Sequence, residues 1–76
     1  MTEIVDTLGE ARVRMKFNPS NNDLVSEIKY RSAELINLVN AIQGDGETRR
    51  LVALAMTHYE DAAMWAVKAA TALPGR

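Results

Sequence analysis

The run LVALAMTHYEDAAMWAVKAATA, Leu51 to Ala72, decides how the rest of the chain folds. Read as one long helix, it carries alanine at Ala53, Ala55, Ala62, Ala63, Ala66, Ala69, Ala70 and Ala72. Large apolar side chains fall between them: Leu51, Val52, Leu54, Met56, Tyr59, Met64, Trp65 and Val67. No single stripe holds them all. Charge is confined to Glu60, Asp61 and Lys68, with His58 nearby. A helix that is apolar around most of its circumference has to be buried on several sides. Its alanine faces let other helices come close, because little side chain stands between the backbones. With 76 residues, the chain has few other elements to do that covering. Copies of the chain are therefore expected to cover one another, and the function is expected to belong to a homo-oligomer.

The length supports the same view. A chain of this size is a single domain, 1–76. It buries only about 60% of its unfolded surface, so a lone monomer is marginal. There is no cysteine, hence no disulfide framework and no thiolate metal site. Small unstapled domains gain stability by oligomerising. The net charge of −1 provides no global field for nucleic acid, so DNA is not an expected partner. No apolar run approaches the ~20 residues of a membrane span, and the start of the chain, MTEIVDTLGEARVR, lacks the apolar core of a signal peptide. A cytoplasmic protein is the expectation.

Outward from the second helix, the chain divides into an N-terminal arm (1–17), a first long helix (18–43) and a second (47–72). In the arm, Val13, Met15 and Phe17 alternate with Arg12, Arg14 and Lys16. That period suits an extended segment, apolar on one face and basic on the other. The alternative is a short helix over Thr2 to Ala11, broken near Gly9. The arm is either mobile or packed on a neighbouring subunit, presenting Arg14 or Phe17. Asn18-Pro19 suits a helix start, with Asn18 as N-cap and Pro19 in the first turn, and Asp23 near the positive end of the dipole. Gln43-Gly44-Asp45-Gly46 stops that helix, with Gly44 able to take a left-handed C-terminal position. Asp45 suits the next N-cap, with Glu47 in the first turn, and Leu73-Pro74-Gly75 ends the second helix. A turn of a few residues makes the two long helices antiparallel. The fold expected is all-α: a two-helix hairpin with a short arm or helix before it.

The first long helix places cations where a core should be. Leu24, Ile28, Arg31, Leu35, Leu38 and Ile42 form one continuous face, apolar except at Arg31. Beside it runs Val25, Lys29, Ser32, Ile36 and Val39. Lys29 and Arg31 either lay their stems on the core with their heads in water, or form a cationic pocket for an anion. A buried cation is costly unless paired, and a ligand phosphate would pair it. The phosphate reading predicts that losing Lys29 weakens binding and barely harms folding. The stem reading predicts the reverse. Lys68 is the only basic residue in the second helix from Leu51 onward, and is a surface lysine or a ligand contact. Trp65, one turn before it, is expected in the core. Tyr30, flanked by Lys29 and Arg31 and opposite the main stripe, is a surface tyrosine or a base-stacking platform.

Catalysis and metal binding find no constellation. His58 is the sole histidine, and the Thr57-His58-Glu60-Asp61 group diverges by about 100° per residue on a helix. His58 is expected as a polar group at a helix contact, and Glu60 and Asp61 as a solvated edge. No nucleophile set, glycine-rich phosphate loop or spaced metal ligands occur, so no enzyme and no cofactor are expected.

The run FNPSNNDLVSEIKYRSAELINL (Phe17 to Leu38), followed by THYEDAAMWAVKAAT (Thr57 to Thr71), resembles the small phage anti-CBASS proteins that act as cyclic-oligonucleotide sponges. The shared pattern is a short N-terminal stretch, a helix with Ile-Lys and then Ala-Glu-Leu, and a final helix. It covers roughly Arg14 to Thr71 in the same order and spacing. The resemblance implies a hexamer that sequesters the second messengers of bacterial immunity without degrading them. It implies cyclic dinucleotides, such as cyclic GMP-AMP, between paired protomers, held by an aromatic residue and a lysine. It also implies cyclic trinucleotides where three protomers meet, held by an arginine and a threonine from each. The family lysine falls on Lys29. The aromatic position falls on Arg14, a departure that leaves Phe17 or Tyr30 to supply the stacking. The threonine position falls on Arg31. The arginine position falls on Lys68, which keeps the charge and loses the bidentate fork. The competing readings are a helical oligomerisation or adaptor module that binds another protein, and a nucleic-acid binder using Arg12, Arg14, Lys16, Lys29 and Arg31. The near-neutral net charge opposes the latter.

Overall fold

The computed structural model describes residues 6–72. It contains three helices, α1 (Leu8–Arg12), α2 (Asp23–Asn40) and α3 (Gly46–Thr71), and among the described residues no strand. The architecture is an antiparallel α2–α3 hairpin with α1 laid on α2. Among the described residues, no helix is long and apolar enough to cross a membrane. Of the short helix expected over Thr2 to Ala11, Thr2 to Val5 lie outside the described residues, as does the Leu73-Pro74-Gly75 stop.

The arm holds a short helix, α1, and Val13 to Lys16, where an extended segment was one expectation, form turns instead. Thr7 is its N-cap, its hydroxyl accepting from the Glu10 N–H while the Glu10 carboxylate accepts from the Thr7 N–H at 2.8 Å. This reciprocal capping box satisfies two otherwise unpaired donors. Gly9 does not break the helix. It is buried against α2, where a Cβ would overlap the Ala33 carbonyl. Its N–H donates to Asn37 Oδ1 at 2.8 Å, and Asn37 Nδ2 donates to Thr7 Oγ1 at 3.0 Å. The absent side chain is what lets α1 touch the α2 backbone.

α2 begins at Asp23, four residues after Pro19. Asn18 braces a turn there, donating through Nδ2 to Asn22 O and Ser26 Oγ, both at 2.9 Å. Asn21 takes φ 52°, a left-handed conformation that a helix cannot contain. Asn22 is the N-cap, accepting from Leu24 N–H at 2.8 Å. At the other end α2 stops at Asn40, with Ala41 as C-cap rather than Gly44. Arg49 of α3 reaches back and donates to Ile42 O at 2.8 Å and Asn40 Oδ1 at 3.2 Å. A side chain thus takes over the carbonyls that a left-handed glycine would otherwise help satisfy. Gly44 serves the turn differently: a Cβ there would come within 2.5 Å of Thr48 Cγ2. Asp45 stands at the N-cap of α3, but its side chain makes no cap bond.

The core is small. Val13, Ala33, Ile36, Val52, Met56 and Ala63 form it, with Met15, Val39 and Tyr59 packed against it. Ile36 and Val25 are the largest fully buried side chains. The face of α2 turned inward is therefore the Val25–Lys29–Ile36 stripe. The more apolar stripe faces out: Leu24, Leu35, Leu38 and Ile42 are 55%, 43%, 69% and 48% exposed. On α3, Leu51, Leu54, Met64 and Trp65 are also exposed, so Trp65 lies outside the core of the single chain. The physical reason is depth. The molecule extends 49 × 37 × 12 Å with a radius of gyration of 14.3 Å, against about 11 Å for a compact globule of this length. A slab this thin cannot cover both sides of its helices.

Candidate ligand-binding site

The site grows from the loop between α1 and α2. Val13 N–H bonds to Gly9 O at 3.0 Å and Met15 N–H to Glu10 O at 2.9 Å, which wraps the chain tightly off the end of α1. Arg14 then takes φ 56°, and Phe17 N–H closes a turn on Arg14 O at 2.9 Å. A non-glycine residue in the left-handed region needs outside support. Lys29 supplies it from the buried face of α2. Its ammonium donates to Arg14 O at 2.9 Å and to Phe17 O. The expectation of a head in water does not hold: main-chain carbonyls take the charge. Lys29 is only 7% exposed. Burial, and then the nearby Arg14 guanidinium, holds its pKa below the ordinary lysine value.

The same turn stacks Arg14 on Phe17, with the guanidinium carbon 4.5 Å from the ring centroid and Lys29 Nζ at 5.4 Å. Phe17 is 54% exposed, so much of the ring remains open. These three side chains line a cavity of about 240 Å³ whose other walls are Arg12, Val13, Glu60, Ala63, Met64 and Val67. A second hollow, about 340 Å³, lies beyond Phe17 and Lys29 against Asn18, Pro19, Ser20, Val25, Val67 and Thr71. The structure thus brings together Arg14 and Phe17, from one turn of the loop, and Lys29, from α2, up to 15 residues away in sequence.

The other three candidates stand elsewhere. Tyr30 is half exposed beside Glu34, whose carboxylate raises its hydroxyl pKa. Arg31, expected on a buried face, is exposed and pairs with Glu27 at 2.5 Å one turn away. Lys68 is an exposed residue whose ammonium lies 5.2 Å from the Trp65 ring. None of the three lines either hollow. His58 is exposed. Glu60, expected at a solvated edge, pairs with Arg12 at 2.9 Å in the cavity wall. Nothing local in the sequence marks that pair, because 48 residues separate its members. Among the described residues, no group of His, Asp or Glu could hold a metal ion.

The family model described as Acb2/Tad1, hairpin domain, matches residues 9–71, from the buried glycine of α1 to the last residue of α3. The chain belongs to the Acb2/Tad1 hairpin-domain family. This is the anti-CBASS sponge family to which the Phe17–Leu38 and Thr57–Thr71 runs pointed. No curated protein and no solved structure matches the chain. The family match includes the whole Arg14–Phe17–Lys29 cluster together with both members of the Arg12–Glu60 pair.

Proposed function

We propose that this chain binds and sequesters cyclic dinucleotide second messengers, and cyclic trinucleotides as a second class, and thereby blocks bacterial CBASS anti-phage immunity. It acts as a single domain in the cytoplasm of the infected host. The observation that carries this reading is the cavity wall of Arg14, Phe17 and Lys29 in an Acb2/Tad1 hairpin. A cyclic dinucleotide offers flat bases and two phosphodiester charges. The open Phe17 ring suits a base, since every base has a π-face to stack. The Arg14 guanidinium suits a phosphate, which it can fork. Arg31 and Lys68 stand apart from that cavity on exposed faces, and suit a trinucleotide only where further protomers meet.

The cavity also argues for partners of its own kind. About 240 Å³ falls below the roughly 300–1,000 Å³ of pockets that bury a drug-sized ligand. A second copy laid on α3 at Met64, which is exposed and lines the cavity, would deepen it. An oligomer larger than a dimer, read as a hexamer, is the expected state. Light scattering at micromolar concentration checks this, and a stable monomer would remove the between-protomer part of the reading. The exposed stripes of α2 and α3 favour the alternative reading, an adaptor module that binds another helical protein.

A thermal-shift series with cyclic dinucleotides and trinucleotides separates the two. Ligand at a hundred times its Kd stabilises by about 2.7 kcal/mol. At about 4–8 °C per kcal/mol, the melt should move by roughly 10–20 °C. The adaptor reading expects no shift with any cyclic nucleotide. We further expect no chemistry on the ligand: after incubation and denaturation, chromatography should return the intact ring. Linear product would make the chain a hydrolase rather than a sponge.

A further inference from the structure

The Arg12–Glu60 pair lies in the cavity wall, and its geometry is that of a weak latch. Arg12 Nε donates to a single Glu60 oxygen at 2.9 Å, and Nη2 reaches Thr57 Oγ1 only at 3.5 Å. The fork is not used bidentately, and among the described residues Nη1 has no partner. The two side chains are 27% and 37% exposed, so both meet the water that a ligand would displace. An ion pair this exposed is held loosely. A phosphate engages a guanidinium fork through two parallel hydrogen bonds.

We infer that Arg12 is an anion-contacting residue of this cavity and that Glu60 is its internal competitor, which sets how much negative charge the cavity accepts. The inference rests on the anion-binding reading above and deepens it. The cavity wall holds three cations, Arg12, Arg14 and Lys29, and one carboxylate, Glu60. With Glu60 in place the wall carries a net +2, equal and opposite to the two phosphodiesters of a cyclic dinucleotide. Lys29 is committed to the loop carbonyls, and Arg14, stacked on the Phe17 ring, keeps the in-plane edge of its guanidinium for one phosphate. Arg12 is the cation whose partner can be exchanged, because Glu60 can turn from it into solvent.

The test is the sign of two substitutions that break the same ion pair. Calorimetric titration with a cyclic dinucleotide should show Glu60→Gln binding roughly three- to tenfold more tightly than the parent, as Arg12 is released from its competing carboxylate. Arg12→Gln should bind more weakly by a similar factor. In the double variant the gain from Glu60→Gln should vanish, since there is no Arg12 left to release. A merely structural latch predicts the same loss from either single change, and that result overturns the inference while leaving the sponge reading intact. Inorganic pyrophosphate serves as the second probe. If no cyclic dinucleotide binds but pyrophosphate shows the opposite signs, the sponge reading falls and the role of Arg12 and Glu60 stands. If neither probe binds any variant, both fall.

Discussion

Lys29→Met should lower the melting temperature by roughly 8–16 °C at fixed protein concentration and remove most of the affinity for a cyclic dinucleotide. Methionine keeps the length and apolar stem but donates nothing. The bonds lost are those from the ammonium to Arg14 O and Phe17 O, made by a residue only 7% exposed. A hydrogen bond with a charged partner is worth about 1.5–3 kcal/mol, and a carbonyl left unsatisfied costs a similar amount. Removing the ammonium also relieves its desolvation, whose presence is visible in the lowered pKa. A net loss of about 2 kcal/mol, at about 4–8 °C per kcal/mol, gives the range stated. Binding should fall for an indirect reason as well. Without its clamp the turn that holds Arg14 at φ 56° loosens, and the Arg14–Phe17 stack goes with it. A ligand contact alone predicts lost binding with an unchanged melt, and a snorkelling stem predicts a lower melt with unchanged binding. The structure predicts both losses together. A Lys29→Met protein that melts like the parent would show that the clamp is not needed.

Gly9→Ala should be about as damaging, although alanine is the better helix former by about 0.8–1 kcal/mol in a helix interior. The added Cβ lands on the backbone carbonyl of Ala33, which no rotamer change can move aside. Overpacking of this kind costs about 1–3 kcal/mol. Displacing α1 also strains the bond from Gly9 N–H to Asn37, worth about 1 kcal/mol. A helix of five residues does not persist undocked, so the walls that α1 and its loop provide, Arg12, Val13 and Arg14, leave with it. Urea melts should show a net loss of about 1–3 kcal/mol, the propensity gain offsetting part of the overlap. Amide exchange should accelerate in Gly9–Val13 well before the hairpin opens. Gly46→Ala is the internal control. Nothing lies within 4 Å of its added Cβ, so it should be neutral or slightly stabilising. If both alanine variants behave alike, the α1–α2 contact is not close in solution.

What could be read from one dimension was whatever local physics decides. Helical periodicity, the Gly44–Gly46 turn and the length of the chain were enough for an all-α antiparallel hairpin, because these signals act within a few residues. The short α1 was legible as one of two alternatives for the arm. Lys29 stood out because it broke an apolar stripe, and Arg14 and Phe17 because they shared the basic arm with open apolar positions.

Three things waited for the tertiary structure. The ends of α2 moved inward because Asn18 and Arg49, residues outside that helix, supply bonds that propensity does not see. The buried face of α2 proved to be the Val25–Ile36 stripe rather than the more apolar one, because α1 and α3 approach on the side where Ala33 and Gly9 leave room. Hydrophobicity ranks faces, but backbone clearance chooses among them. Finally, the Arg12–Glu60 pair and the Lys29 clamp join groups 48 and up to 15 residues apart, and a periodic pattern carries no record of which distant side chain will arrive. Composition and spacing determined that this chain is a helical hairpin with cations on an otherwise apolar face. Only the packing of three helices decided that one of them, Lys29, meets Arg12 and Arg14 of the arm around one cavity.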